Sequence, residues 1–306
     1  MKPALLLFAA LPVLFTALLI ACSHPAPPGP KIDPALYGMI PPDTVLLAGA
    51  RVEAIEKTPV YKKDLAERDF PAVDRFAETM HIDPRKDLWE LLFVSNGERS
   101  AVLGRGMFSD ESEPRLPGRR FGYRGFNMVG GDDTAILLIG PTAVAIGDTA
   151  ELKAMVDAHD SSPGAPPSLA AVLRGVPAES QLWAAFAGGP LRFPIPATGN
   201  LSNLNNIVRT IQSGSFYVDL RMGLSGAGVG ACRNQKEAQD LEGGLQALIG
   251  LGRFATPKNK PELQKLWEGV RVTQQSSVVR LSIDEPEDLV DAFFNLTMGS
   301  SARPKK

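Results

Sequence analysis

Pro41-Pro42-Asp43-Thr44-Val45-Leu46-Leu47-Ala48-Gly49 and, 136 positions further on, Pro177-Ala178-Glu179-Ser180-Gln181-Leu182-Trp183-Ala184-Ala185 share one pattern: a turn, an acid, a hydroxyl residue and a strand. A second pair of anchors keeps nearly the same spacing. Ile146, Asp148, Glu151, Leu152 and Val156 align with Ile283, Glu285, Asp288, Leu289 and Phe293 at an offset of 137, each time where a strand gives way to a helix with an acidic first turn. Acids there complement the helix dipole, and Asp148 with Glu151 has the spacing of a capping box. Two matches at nearly one offset predict a body written twice, a constraint that precedes any single element.

Between the anchors each half carries hairpin signals. Leu88 to Val94 turns at Ser95-Asn96-Gly97-Glu98 and returns through Ala101 to Met107, and Asn-Gly between strand runs is a strong short-range hairpin signal. Phe216 to Leu224 is expected to turn near Ser225-Gly226 and return toward Cys232. Later, Ala135 to Ile139 turns at Gly140-Pro141 into Ala143 to Ile146, and Val270 to Gln274 turns near Gln275-Ser276 into Val278 to Ile283. Helices are expected over 61–67, 72–80, 150–158, 201–211, 236–249, 261–268 and 287–296, with a short one over 168–174. Consecutive hairpins make antiparallel neighbours, which favours α+β over a doubly wound parallel sheet. The expectation is two tandem, related, loosely ferredoxin-like units at 37–160 and 168–299, each an antiparallel sheet with helices on one face. A Ser/Pro/Gly linker at 161–167 joins them, and a tail follows at 300–306.

Outside this body the N-terminus has its own pattern. Lys2 precedes an uncharged run from Ala4 to Ile20, which ends in Leu19-Ile20-Ala21-Cys22. All four of these positions match the bacterial lipobox, and the whole resembles a lipoprotein export signal at 1–21. The resemblance implies that Cys22 carries acyl chains, palmitate among them, and becomes the first residue of the mature protein. The competing reading is an uncleaved anchor of about 17 apolar residues, the short limit for a bilayer span. Pro25, Pro27, Pro28 and Pro30 then favour an extended, solvated tether over 22–36. Ser23 stands where the familiar inner-membrane retention signal has Asp, so the resemblance implies an outer membrane and a domain facing the periplasm.

Composition narrows the classes further. The chain has 306 residues, 44% hydrophobic and 22% charged, with 32 basic against 34 acidic residues and a net charge of -2. These values suit packed domains and not a disordered, collagenous or polytopic membrane chain. They leave no basic excess for nucleic acid. With Cys22 acylated, the only other cysteine, Cys232, has no intrachain partner, and its strand-like surroundings predict a buried, inert thiol.

Several short stretches carry residue types that catalytic or binding sites use. Gly226, Gly228 and Gly230 superficially satisfy the dinucleotide glycine fingerprint, but no βαβ unit surrounds them and they read better as a returning strand. Gly223-Leu224-Ser225 starts like a nucleophile elbow, yet Ala227 replaces the second glycine. The three histidines, His24, His81 and His159, have no ligand-spaced neighbours for zinc and read as tether or helix-end residues. Asp132-Asp133 and Asp110, Glu111 and Glu113 read as solvated turns. These readings assign no catalytic residue, metal or cofactor. Cations and aromatics interleave in one place, where Arg115, Arg119, Arg120 and Arg124 accompany Phe121 and Tyr123. That pattern is first of all that of an ordinary strand flanked by solvated arginines, and it also suits an anionic glycan, a lipid headgroup or an acidic protein.

The run Ile82-Asp83-Pro84-Arg85-Lys86-Asp87-Leu88, the strand after it and Leu103-Gly104-Arg105-Gly106-Met107-Phe108 resemble a group of uncharacterised envelope proteins from acidobacteria-like organisms. The likeness extends over most of the mature chain and supplies no active site. Lipobox and repeat together point to a membrane-anchored, non-catalytic envelope lipoprotein that binds or scaffolds another envelope component. The alternative is a hydrolase acting on cell-wall or glycan material, which would need His81 or His159 in a pocket with a carboxylate.

Overall fold

Leu47, Leu92, Val94, Ala101, Leu103, Ala143 and Ala145 recur at every second position along their strands and are all buried in one core. That period of two is what a strand needs to present one face to a hydrophobic layer. The computed structural model describes residues 29–66, 70–80, 82–108, 118–161, 164–188, 210–256 and 261–297. Its strands are β1 (Leu46–Ala50), β2 (Leu88–Ser95), β3 (Ser100–Gly106), β4 (Arg119–Tyr123), β5 (Phe126–Gly130), β6 (Thr134–Leu138) and β7 (Ala143–Asp148), followed by β8 (Leu182–Ala187), β9 (Ile211–Asp219), β10 (Leu224–Cys232), β11 (Arg271–Gln275) and β12 (Val278–Glu285).

All twelve join one antiparallel sheet in the order β11-β12-β10-β9-β8-β1-β2-β3-β7-β6-β5-β4. The α+β class and the antiparallel strands are as the hairpin signals predict. The two strand sets, expected as separate sheets, are continuous because β1 pairs with β8, Leu46 opposite Phe186 and Ala50 opposite Leu182. Read outward from this junction, β1-β2-β3-β7-β6 on one side mirrors β8-β9-β10-β12-β11 on the other. Pairing at the junction satisfies the backbone edge that each set would otherwise leave open.

Helices cover both faces of the sheet, where the sequence reading had placed them on one. On the first face lie α1 (Pro34–Tyr37), which the sequence reading had assigned to the tether, α4 (Thr149–Ser161) and α5 (Pro167–Leu173). Their Leu36, Leu152, Met155, Val156, Leu169 and Leu173 share a core with Leu47, Leu92, Leu103 and Trp183. Each such side chain, fully buried, contributes roughly 1.5–3 kcal/mol. On the second face, α2 (Val52–Glu56), a single π-helical turn at Tyr61–Leu65 and α3 (Pro71–Met80) follow β1. In the other half α6 (Gln235–Ala255) packs there, with Ala238 and Leu241 on Cys232 and Val279. The helices α7 (Pro261–Leu266) and α8 (Glu287–Thr297) complete the described chain. The reason for two covered faces is visible in β7: Val144 and Ile146 are as apolar as Ala143 and Ala145, so neither face suits water.

Two local elements differ from expectation. The β9–β10 turn lies at 220–223, before the expected Ser225-Gly226, because Asp219 captures the Arg221 N–H and guanidinium and Gly223 takes φ +109°. A Cβ on Gly223 would also stand 2.2 Å from the Glu285 carbonyl oxygen. Ile211, expected to end a helix, opens β9. Thr210, also expected in that helix, lies in a turn, and residues 201–209, the loop 109–117, the expected signal segment with Cys22 and the tail lie outside the described residues.

Candidate functional site

Facing positions of β2, β3, β6 and β7 on the second face are Leu88, Leu91, Val102, Gly104, Ile136, Val144 and Ile146. Above them stand Val73 of α3 and the turn residues Ile82 and Pro84, and between the two layers is a cleft of about 330 Å³ lined by these ten residues. Every lining side chain is aliphatic or absent. Gly104 keeps part of the floor open, since a Cβ there would come within 3.0 Å of Leu88 Cδ2. The roof is latched by charge: Arg85 reaches back to Asp74 of α3 at 2.9 Å and to Asp83 at 2.9 Å. The Arg85 guanidinium holds the Asp83 carboxyl below the usual carboxylate range. Such a cleft can accept an apolar group, and none of its ten described lining residues carries a nucleophile or an acid–base pair. Sequence reading missed it, although the lack of polar alternation along β6 and β7 was its signal.

The cation–aromatic stretch forms the β4–β5 hairpin at the outer edge of the sheet. Its turn has positive φ at both Arg124 and Gly125, the geometry of a type I′ hairpin. Alternation splits the set: Arg119, Phe121 and Tyr123 share the first face, and Arg120 points to the second. Phe121 and Tyr123 pack against the main core. The Tyr123 hydroxyl donates to Asp157 of α4 at 3.1 Å, and Arg124 pairs with Asp157 at 2.9 Å. Arg119 lies over the Phe121 ring at 5.6 Å and Lys153 over that of Tyr123 at 5.6 Å. Arg124 and Tyr123 thus serve to fasten the hairpin to α4, and Arg115 lies outside the described residues.

His159 meets Phe126 edge-on at 5.8 Å, and His24 and His81 lie outside the described residues. Gly226, Gly228 and Gly230 lie within β10, paired on both sides, as a returning strand requires. Cys232 is buried and free, and burial pushes its thiol upward. Among the described residues no group of three or more His, Cys, Asp or Glu is placed to hold a metal ion.

Charged groups that the sequence did not single out cluster around the N-terminal segment. Asp33 caps α1 by accepting from the Ala35 N–H at 2.8 Å, pairs with Arg105 at 3.1 Å, and donates its own N–H to both oxygens of Glu90 at 3.2 Å. Burial raises the Glu90 carboxyl. Lys31 and Arg51 converge on Glu179, and these two cations, Lys31 first, hold its carboxyl down at about 2. Residues 29–36, expected as free tether, are in this way docked on the body.

The chain matches no protein-family model and none of the curated proteins. Solved structures align with it over most of its length. Crystal form III of TP0453, a treponemal lipoprotein, aligns with a TM-score of 0.50 at 10% identity, covering 87% of this chain and 99% of TP0453. Crystal form I of the same protein aligns with a TM-score of 0.47 at 9% identity, covering 87% and 98%. The first alignment shows a similar α+β architecture over nearly the whole of both chains.

Proposed function

We propose that this chain is a lipid-anchored, non-catalytic lipoprotein of the cell envelope that holds the apolar part of another envelope component in the aliphatic cleft. The cleft carries the reading: its ten lining residues offer dispersion contacts and no polar chemistry, and its volume falls at the lower end of ligand cavities, about 300–1,000 Å³. The anchor rests on Leu19-Ile20-Ala21-Cys22, and acyl chains at about 0.8 kcal/mol per buried methylene hold such a protein stably when two or more are present. Among the described residues no helix is long and apolar enough to cross a membrane. TP0453, which shares the fold, is a lipoprotein of the envelope. Ser23 favours the outer membrane, with the body in the periplasm. The mirrored strand order, with Ala48 paired to Ala184 at the repeat offset of 136, supports a duplicated unit.

Two measurements test the reading. Intact mass of protein recovered from membranes should show a chain starting at Cys22 with added acyl mass, absent from Cys22→Ser. Titration with cis-parinaric acid should give saturable one-site binding that Ile146→Trp, which fills the cleft, weakens at least tenfold. Equal binding by the two proteins would remove the cleft from the proposal.

A further inference from the structure

The path of the N-terminal segment determines which part of the body an anchor brings to the membrane. Gly29 abuts α5 at Leu173, where a Cβ on it would stand 2.9 Å from the carbonyl oxygen. The Lys31 N–H donates to Ala178 at 3.3 Å, its ammonium pairs with Glu179, and Asp33 is gripped by Glu90 and Arg105. Ala178 and Glu179 come just before β8, Glu90 is near the start of β2, and Arg105 is near the end of β3. The antiparallel registers put all of these at one end of the sheet, where β1, β3, β9 and β12 finish and β2, β8, β10 and β11 begin. Seven peptide steps separate Cys22 from Gly29. Fully extended, they span at most about 25 Å. A bilayer holding Cys22 is therefore never far from this end.

The same end carries large apolar side chains that the fold leaves uncovered. Met222, in the β9–β10 turn, is 91% exposed, and Met107, directly after β3, is 69% exposed. α6 begins beyond the opposite end of β10 and runs back for 21 residues, about 31 Å. Its last turns return to the tether end, where Gly252 abuts Trp267 and Gly269 abuts Glu285 at the finish of β12. There Leu251 is 55% and Phe254 90% exposed, three residues apart and so neighbours on the helix surface. Arg221 adjoins Met222 in the same turn and Lys31 lies at the same end of the sheet; both side chains are exposed and paired with carboxylates, Asp219 and Glu179. Among the described residues, the turns at the opposite end are Pro41-Pro42-Asp43-Thr44, Asn96-Gly97-Glu98, Gly131-Asp132-Asp133, Arg233-Asn234 and Ser276-Ser277, and none of them exposes a large apolar side chain.

We propose that the tether end of the sheet is a membrane-docking surface, on which Met107, Met222, Leu251 and Phe254 enter the interface of the bilayer that holds Cys22. The strands then point toward the membrane and the polar turns away from it. Large exposed apolar side chains gathered at one end are the groups that an interfacial contact buries. The proposal rests on the anchor reading above and adds an orientation to it.

The test uses the chain from Cys22 to Lys306, purified without acylation and coupled through the Cys22 thiol to maleimide headgroups in phosphatidylethanolamine–phosphatidylglycerol vesicles. The other thiol, Cys232, is buried. Hydrogen exchange on the vesicles should slow at least fivefold at 219–223 and 253–256 relative to the uncoupled protein, and stay unchanged at 96–98 and 276–277. The combined variant Met107→Ser, Met222→Ser, Leu251→Ser and Phe254→Ser should lose this slowing, while its circular dichroism and melting temperature show that it folds. Slowing at 96–98 in place of 219–223, no slowing anywhere, or the same slowing in concentrated protein without vesicles, which would mean a second copy on this surface, each overturns the proposal. Because the coupling is chemical, these outcomes are independent of the mass measurement that tests native acylation.

Discussion

The Trp183 indole lies flat against Gly49 on the neighbouring strand, so close that a Cβ on Gly49 would stand 2.3 Å from Trp183 Cε2. The two residues are opposite one another in the β1–β8 pair that joins the halves of the sheet. Trp183 is buried in the main core, and the missing side chain at Gly49 is the space that it fills.

Gly49→Ala forces the indole out of this position. Overpacking of a filled core costs roughly 1–3 kcal/mol, so the variant should unfold at lower temperature and lower urea concentration than the native protein. An unchanged melting temperature would show that the junction tolerates a shift of the ring.

Asp33→Ala removes the cap of α1 and the partner of Arg105 together. Loss of an N-cap typically costs about 1 kcal/mol. The expected outcome is local: limited proteolysis should cleave between 31 and 40 much faster, with Lys31 among the sites for trypsin, and the sheet should survive. Cleavage as slow as in the native chain would mean that Leu36, Met39 and Ile40 hold the segment by burial alone.

Glu151 gives a pH signature. Its side chain is fully buried at the start of α4, Arg99 reaches only one oxygen at 3.3 Å, and the other has no hydrogen-bond partner. Burial raises its pKa above the ordinary carboxylate value despite the favourable Arg99 charge. The folded protein therefore binds this proton more tightly than the unfolded chain does. The contribution to stability is full below the unfolded value and falls as pH rises through the folded one. Glu151→Gln removes the titration, so the stability difference, variant minus native, should become more favourable to the variant between pH 4.5 and 7. Urea midpoints at both pH values read it, and a difference independent of pH would contradict the assignment.

Alternation and turn chemistry made most strands legible. Asn96-Gly97 announced the β2–β3 hairpin and Gly140-Pro141 the β6–β7 hairpin, because the turn conformations they favour are decided within a few residues. The edge hairpin Arg119–Gly130 was read as a single strand with arginines. Its type I′ turn rests on Arg124 at positive φ, which the ion pair with Asp157 on a distant helix helps to hold. Asp148 and Glu151 were legible as an acidic helix start, yet Asp148 accepts from the Ser100 N–H at 2.6 Å and Glu151 is buried against Arg99. Which neighbour answers a carboxylate depends on strands that come together only in the sheet.

By itself the sequence determined the α+β class, the run of antiparallel hairpins and the burial of Cys232, because these follow from local periodicity and composition. Only the tertiary structure decided that the strand sets fuse through Ala48 and Ala184, that helices cover both faces, that Val73 closes over Val102 and Ile146, and that Met107, Met222 and Phe254 share one end of the sheet with Lys31 and Asp33. Each of these depends on pairing between residues far apart in the chain. Such pairing is selected by the burial of whole surfaces, and no short stretch of sequence carries it.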